Sequence, residues 1–352
     1  MHRLFFALIL LSLTCGSHAA EVNNLYQSQT SVSSRDEQER DQLTPQLLRE
    51  VILKVVGNRA ALDAVDLTPI LSNSGQYRQQ YQYERMTALS ADLTRPDDLA
   101  LVLTFNANSV NQALKDLGLP IWGAIRPDVL VWIALEQANN KQVLGLENVP
   151  QDIINPLNVA ADKRGLPLLL PLMDLQDQAQ LTFNDIWTGD DAAVQSASQR
   201  YGADVLLTAR VTVTDSGSQI RWQADINGER ERWQSQGDLT QAIQQGIGVL
   251  ADRMARRYTQ VVTATADEQR LVMQITDVND YADFSRLMAY LNQLEYITDI
   301  RVINLSEQKL DLDIAFNGNW QVLQRTLSVG RMLLEENSFD SNNAGKHYRL
   351  LP

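Results

Sequence analysis

The pattern of apolar and polar positions divides the chain into stretches with helix spacing and stretches with strand spacing. Four apolar residues lie four positions apart and predict a helix with one buried stripe: Leu43, Leu47, Val51 and Val55. The sequence Ser34-x-x-Glu37 is a candidate capping box for its start, and Gly57-Asn58 is a typical helix end. Continuous apolar runs at 99–105 and 129–135 predict buried strands. Residues 21–138 are therefore predicted to form an N-terminal α/β domain.

A second unit is predicted over residues 139–260, again of α/β type. Its centre reads as a hairpin that turns at Asp215-Ser216-Gly217, followed by a third strand after Asn227-Gly228. A long helix then carries five apolar or aromatic residues on one face: Ile243, Ile247, Leu250, Met254 and Tyr258.

The third unit, residues 261–352, has the clearest alternation. Four apolar residues share one face of a strand: Leu310, Leu312, Ile314 and Phe316. Strands and helices are predicted in the order βαββαβ, which is the ferredoxin-like motif. In this interpretation a helix covers 320–334 and His347 lies on an edge strand. The fold class is thus α/β (α+β), built from two or three small modules with mixed sheets.

The first 20 residues have the pattern of a secretory signal peptide. Met1-His2-Arg3 is a short basic start, and small residues follow the apolar run as far as Ala20. That run is about half of the ~20 residues that a membrane-spanning helix needs. The mature chain is therefore expected to be periplasmic and to contain no transmembrane helix. Lipid anchoring at the outer membrane through Cys15 is the alternative, although Ser12 and Thr14 match a lipoprotein signal poorly.

Composition narrows the chemistry that the mature chain can perform. The sequence is acidic, with 30 Lys+Arg against 43 Asp+Glu and a net charge of −13, which disfavours nucleic acid as a partner. Loss of residues 1–20 would leave His347 as the single histidine and no cysteine, as suits export in a Gram-negative cell. Zinc sites, thiol catalysis and most catalytic triads need these residues. No cofactor, no metal ion and no catalytic residue is therefore assigned.

One candidate binding region lies at the entry to the strand predicted at 129–135. Trp122, Arg126 and Asp128 could form a cleft with an aromatic wall and an arginine for an anionic group. The alternative is that the tryptophan is core and that Arg126 and Asp128 are turn residues.

Carboxylates form a second candidate region. Asp174 and Asp177 follow a short strand and, with Asp190 and Asp191, are candidate oxygen ligands for Ca²⁺ or Mg²⁺. The alternative is that these aspartates occupy turns and helix N-caps, where aspartate is favoured.

Two further groups complete the candidates. Arg200, Tyr201 and Asp204 join a helix to a strand, and Asp204 is predicted to pair with Arg164 or Arg200 as a structural salt bridge. A separate strand alternates aromatic and basic residues and would suit contact with protein or glycan, although half of it could be core: Tyr77, Arg78, Tyr81, Tyr83 and Arg85.

Several of these segments together resemble the proteobacterial domain-of-unknown-function 2066 family. They are LGLPIW (117–122), RPDVLVW (126–132), RGLP (164–167), PLMD (171–174) and SQRYGAD (198–204). The resemblance implies an exported protein and brings no established activity. The middle of the chain also resembles, at fold level, envelope assembly proteins of the curli-secretion, Tol–Pal and penicillin-binding-protein-activator kind, which use small α/β modules to bind other proteins.

Two hypotheses of function follow. The first is an exported, non-enzymatic binding or envelope-assembly accessory protein, whose partner is an envelope protein or a glycan. The alternative is a carboxylate-dependent hydrolase of cell-envelope glycans, with Asp174 and Asp177 as the carboxylate pair.

Overall fold

The computed structural model describes residues 22–85, 99–138, 140–261, 268–306, 308–336 and 345–352. These residues form eleven α-helices and three sheets, so the fold is mixed α/β as the sequence predicts. The predicted signal peptide lies outside the described residues. None of the helices described is long and apolar enough to cross a membrane.

The N-terminal unit is a three-stranded antiparallel sheet packed against helices. Its elements are β1 (Gln27–Val32), α1 (Glu37–Val56), α2 (Arg59–Asp63), α3 (Thr68–Leu71), β2 (Arg78–Arg85), β3 (Leu99–Phe105) and α4 (Ala107–Asp116), and the strand order is β1-β3-β2. The apolar stripe of α1 packs on the sheet, as its four-residue spacing predicts.

The structure can be compared with the predicted start and the predicted end of α1. The predicted capping box at Ser34-x-x-Glu37 is wrong, because Asp36 is the N-cap and accepts a hydrogen bond from the backbone N–H of Gln38. The serine hydroxyl instead donates to the carboxylate of Glu39. The predicted end is confirmed, because Gly57 adopts the left-handed conformation (φ 72°) that glycine tolerates.

The middle unit is a sheet with helices on both faces. Its elements are β4 (Val129–Gln137), β5 (Asn140–Leu144), α5 (Gln151–Arg164), β6 (Leu168–Leu169), α6 (Leu175–Gln180), α7 (Phe183–Thr188), α8 (Asp191–Ser198), β7 (Val205–Thr214), β8 (Gly217–Ile226), β9 (Glu229–Gly237) and α9 (Leu239–Tyr258). The strand order is β5-β4-β7-β8-β9, with β6 beside β4. Helices α5 and α9 share a core with one face, and α7 and α8 pack on the other face over β4.

Strand β4 belongs to this middle sheet, although its sequence position suggested the N-terminal unit. It pairs in parallel with β7 and antiparallel with β5, so the boundary predicted near residue 138 runs through the sheet. The sheet pairings instead favour a boundary between β3 and β4, which we propose as the limit of the N-terminal domain. Adjacent strands of one sheet share main-chain hydrogen bonds and a core, and a domain boundary rarely divides them.

The C-terminal unit follows the predicted order βαββαβ with one added strand. Its elements are β10 (Glu268–Thr276), α10 (Tyr281–Asn292), β11 (Ile297–Ser306), β12 (Lys309–Asn317), α11 (Trp320–Val329), β13 (Leu333–Glu335) and β14 (Lys346–Leu350), and the strand order is β11-β12-β10-β14-β13. The helix predicted over 320–334 is too long, because Arg331 adopts a left-handed conformation (φ 46°) and the chain continues into β13. His347 therefore lies on β14 between two strands, and its predicted edge position is wrong.

Candidate functional site

The residues predicted for an aromatic cleft are buried in the scaffold. Trp122 is 2% exposed and Arg126 is fully buried, with its guanidinium carbon 4.1 Å from the indole ring. The guanidinium donates to five backbone carbonyls at 2.7–2.9 Å: those of Lys54, Trp122, Gly123, Arg164 and Gly165. Burial lowers the pKa of Arg126 to about 9. Because this value is still above neutral pH, the guanidinium remains charged there. Trp122 and Arg126 are therefore buried structural residues, as the alternative to a binding cleft predicts.

Arg164 has a similar structural role at the next contact between units. Its guanidinium donates to the backbone carbonyls of Gly57 at 2.7 Å and Gly248 at 3.0 Å, and to the carboxylate of Asp252 at 2.5 Å. These bonds join the end of α1 to α5 and α9. Arg164 therefore donates to the end of α1 and to α9. The predicted pairing of Arg164 with Asp204 is not formed.

Asp128 and Asp204 meet an arginine that sequence reasoning missed. Nη2 of Arg331 lies 3.0 Å from a carboxylate oxygen of Asp128 and 3.8 Å from one of Asp204. The backbone N–H of Asp128 donates to Asp204 at 3.1 Å. Burial raises the pKa of Asp204 to about 6, and it raises the pKa of Asp128 as well. This cluster joins the middle and C-terminal units, and it corrects the predicted pairing of Asp204 with Arg164 or Arg200.

The structure brings four further predicted site residues into one cluster: Asp174, Asp177, Arg200 and Tyr201. Asp174 caps α6 and accepts two bonds from Arg200 at 2.8 and 2.9 Å. Asp177 is fully buried and accepts from Arg200 at 3.2 Å, from the Tyr201 hydroxyl at 2.5 Å and from the backbone N–H of Met173 at 2.9 Å. Arg200 thus bridges two carboxylates at the edge of the middle unit.

The electrostatics of this cluster do not suit acid catalysis. The hydrogen bond from Arg200 is the largest cause that lowers the pKa of Asp174 to about 2. Burial, followed by the bond to Asp177, raises the pKa of the Tyr201 hydroxyl to about 12. A glycoside hydrolase needs one carboxylic acid that keeps its proton at working pH. Asp174 and Asp177 instead form a structural ion-pair network with Arg200.

The predicted calcium or magnesium ligands are separated in the structure. Asp190 is the N-cap of α8, and Asp191 pairs with Arg230 at 2.6 Å. Asp174 is itself an N-cap, so the helix-cap interpretation is confirmed for these two positions. Within the described ranges, no three residues of the His, Cys, Asp or Glu type form a group that could hold a metal ion.

The predicted aromatic and basic segment comprises Tyr77 and the edge strand β2, and its tyrosines differ in exposure. Tyr77 and Tyr83 pack against the core, as the more cautious interpretation of this strand predicts. Tyr81 is 48% exposed, and the guanidinium of Arg40 lies 4.4 Å from its ring centre. Tyr81 is therefore the one of these three tyrosines that offers a large area for contact.

A cationic surface that sequence reasoning missed lies on the middle sheet beyond α7 and α8. Strands β7 and β8 contribute one arginine each and β9 contributes two, and the register places all four on the same face of the sheet: Arg210, Arg221, Arg230 and Arg232. We call this surface the arginine face. The other polar positions of this face are neutral except for Asp225, which lies opposite Arg230; the neutral ones are Thr208, Thr212, Gln219, Gln223, Gln234 and Gln236.

Contacts at the arginine face set the positions of its side chains. Arg210 lies against Gly189, where an added Cβ would come within 2.7 Å of Nη2. The guanidinium of Arg221 lies 5.4 Å from the ring of Trp187, which in turn stacks on Phe183 at 4.9 Å. Arg232 donates to the side-chain oxygen of Gln223 at 2.8 Å. The sequence shows where the arginines lie along each strand. Only the strand register shows that the four side chains share one face.

Comparison with protein families finds one match, in the N-terminal part of the chain. A family model described as Domain of unknown function (DUF8605) matches residues 19–123. The match supports an uncharacterised domain in this region and does not confirm the 2066 family. A search of curated proteins finds no match.

Three solved structures are distantly similar to this chain. The LpoB C-terminal domain from Salmonella enterica is 13% identical, with 32% of this chain and 82% of that chain covered and a TM-score of 0.22. A competence or damage-inducible protein from Enterobacter asburiae is 12% identical (42% and 93% covered, TM-score 0.23). TolB from Acinetobacter baumannii is 10% identical (44% and 33% covered, TM-score 0.22). At these TM-scores the likeness carries no conclusion about function.

Proposed function

We propose that this chain is an exported, non-enzymatic binding or assembly-accessory protein of the cell envelope. The observation that carries this proposal is the arginine face, a fixed cationic surface on a chain with a net charge of −13. Arg221 and Arg232 are exposed, and the sheet beneath them is held by complete strand pairing. A rigid surface loses little conformational entropy on binding, so it favours recognition of a partner.

The hydrolase alternative has no comparable support. Its carboxylate pair, Asp174 and Asp177, is bound to Arg200, and both carboxylates also accept backbone or hydroxyl hydrogen bonds. The hydrogen bond from Arg200 lowers the pKa of Asp174 to about 2, so this carboxylate has no proton to donate to a leaving group near neutral pH.

Site-directed photo-crosslinking in intact cells tests the proposal. A photoreactive residue at Gln234, which lies exposed on the arginine face, should give a discrete adduct in the envelope fraction. The matched control is the same residue at Gln38, an exposed position at the start of α1, where no such adduct is expected. Equal adducts at both positions, or none at either, would contradict a binding role for this face.

The export component of the proposal has its own measurement. Mass spectrometry of the mature protein should show an N-terminus at Ala20 or Glu21, as the signal-peptide pattern predicts. A lipid-modified Cys15 at the N-terminus would instead establish the lipid-anchored alternative. An intact Met1 on protein from the cytoplasmic fraction would refute export.

A further inference from the structure

We propose that the arginine face is a binding site for an anionic polysaccharide, a glycan that carries carboxylate or phosphate groups. The inference rests on the proposed function, because it names the class of ligand that the binding surface takes. Four features of the face lead to it: unneutralised charge, the spacing of the arginines, the neutral side chains between them, and the neighbouring indole.

Positive charge on this face is left largely unneutralised. Arg230 pairs with Asp191 at 2.6 Å, whereas Arg210, Arg221 and Arg232 have no carboxylate partner among the residues that the structure describes. Burial, and then the nearby charges of Arg221 and Arg232, lower the pKa of Arg210. The chain as a whole is acidic, with fewer basic than acidic residues. Three adjacent unpaired arginines therefore stand out from the rest of the surface, because together they create a local potential that attracts anions.

Strand register gives the arginines a regular spacing. Arg210 lies directly opposite Arg221, and Gln223 lies directly opposite Arg232 on the next strand. Neighbouring strands are about 4.8 Å apart, so the backbone positions of the three arginines span ~10 Å across three strands. A row of this length matches a polymer that repeats its anionic groups better than it matches a single small anion. Arginine can also bind a carboxylate or phosphate through two parallel hydrogen bonds.

The neutral residues of the face favour a glycan over an acidic polypeptide. On β8 and β9 the outward positions carry arginine, glutamine and one aspartate, with no aliphatic side chain among them. Gln219, Gln234 and Gln236 are exposed, and their amides both donate and accept hydrogen bonds, as sugar hydroxyls require; Gln223 is buried and bonds to Asp191 and Arg232. Protein–protein interfaces instead have an apolar, often aromatic, centre that supplies most of the affinity.

An aromatic ring borders the charged row. Trp187 is half-buried, and it is fixed by stacking on Phe183 with 22° between the planes. Its indole lies beside Arg221. Phe183 stacks on one face of this indole, and the guanidinium of Arg221 lies over the ring at 5.4 Å from its centre. The indole therefore helps to hold the exposed Arg221 in the charged row.

Binding of defined polymers to the full chain tests this inference. The probes are polygalacturonate, which carries carboxylates, a phosphomannan, which carries phosphates, neutral dextran and poly-L-glutamate. At low ionic strength we expect polygalacturonate or the phosphomannan to bind, and the tighter of the two identifies the anionic group. Dextran should not bind, and added salt should weaken binding because it screens exposed charges.

Matched variants locate the site. The triple variant Arg210→Gln, Arg221→Gln and Arg232→Gln should lose at least ~10-fold in affinity for the anionic glycan. A control triple variant removes the same charge from exposed arginines elsewhere, Arg49→Gln, Arg85→Gln and Arg301→Gln, and should change affinity less than ~2-fold. The single variant Arg221→Gln removes an exposed side chain, so it should keep the wild-type melting temperature and still weaken binding.

The outcomes separate this inference from the proposed function. Equal losses in the two triple variants would overturn the arginine face as the site. Tighter binding of poly-L-glutamate than of either anionic glycan would overturn the glycan and favour an acidic polypeptide, while the crosslink from Gln234 would still support a binding protein. Trp187→Leu should weaken binding of the anionic glycan, because the indole holds Arg221 in place; unchanged binding would contradict this role of the indole.

Discussion

Replacement of Arg126 by Met tests whether this buried arginine is a structural residue or the anion-binding group that the sequence suggested. The change removes the donors of five hydrogen bonds that connect α1, the segment before β4 and the end of α5. Methionine is apolar and cannot satisfy the five carbonyl oxygens. It also removes the contact of the guanidinium with the indole of Trp122.

The magnitude follows from the number of bonds and from the cost of burying a charge. Each hydrogen bond contributes about 1 kcal/mol, and bonds to charged groups about 1.5–3 kcal/mol, so the loss of five is on the order of 5 kcal/mol or more. Relief of the buried charge offsets part of this. We therefore expect the free energy of unfolding to fall by ~3–5 kcal/mol, because five buried carbonyls lose their charged donor.

Urea denaturation at neutral pH, followed by tryptophan fluorescence, measures this change. The control is Arg49→Met, whose side chain is 57% exposed, and we expect a shift within about ±0.5 kcal/mol. Arg126→Lys should fall between the two, because one ammonium group cannot reach all five carbonyls. A loss below about 1 kcal/mol for Arg126→Met would refute the structural role, and it would do so most clearly if binding of an anionic ligand were lost at the same time.

Three further changes probe other sites. Because burial raises the pKa of Asp204 to about 6, its protonated form favours the folded state, and that stability is lost as pH rises through about 6. Asp204→Asn should therefore stabilise the protein at about pH 8, by at most ~3 kcal/mol, and have little effect below about pH 4; equal urea midpoint shifts at both pH values would contradict this. Gly246→Ala should lower the melting temperature, with a cost of ~1–3 kcal/mol, because its Cβ would overlap the indole of Trp222; an unchanged melting temperature would show that the indole moves aside. Asp174→Asn should leave the melting temperature and the phenotype almost unchanged, because its ion pair with Arg200 is partly exposed to solvent; a folded variant that loses an envelope-glycan hydrolysis activity would instead support the hydrolase hypothesis.

The predicted element types agree with the structure where the local pattern was strong. The four-residue stripe of α1, the apolar run of β3 and the alternation in β12 each produced the expected helix or strand. The turn at Asn227-Gly228 is also confirmed, since both residues adopt positive φ as a tight hairpin requires. These features depend on residues close together in sequence, and local sterics and hydrogen bonding determine them.

The candidate site was predicted less well because its residues act through distant partners. Arg126 stood out as a charge beside an apolar strand, but its carbonyl acceptors come from Lys54, Trp122, Gly123, Arg164 and Gly165, and three of these are far from it in sequence. Nothing in the local sequence distinguishes an arginine that binds carbonyls from one that binds a ligand.

The sequence by itself determined the α/β class, the main helices and strands, and a chain poor in the histidine and cysteine that many catalytic and metal sites use. Tertiary structure alone decided that β4 joins the middle sheet, that Arg331 meets Asp128 and Asp204, and that arginines from three strands share one face. The physical reason is the range of the interactions. Helix and strand periodicity is set by neighbouring residues, whereas strand pairing, register and the neutralisation of charge depend on groups brought together only when the whole chain packs.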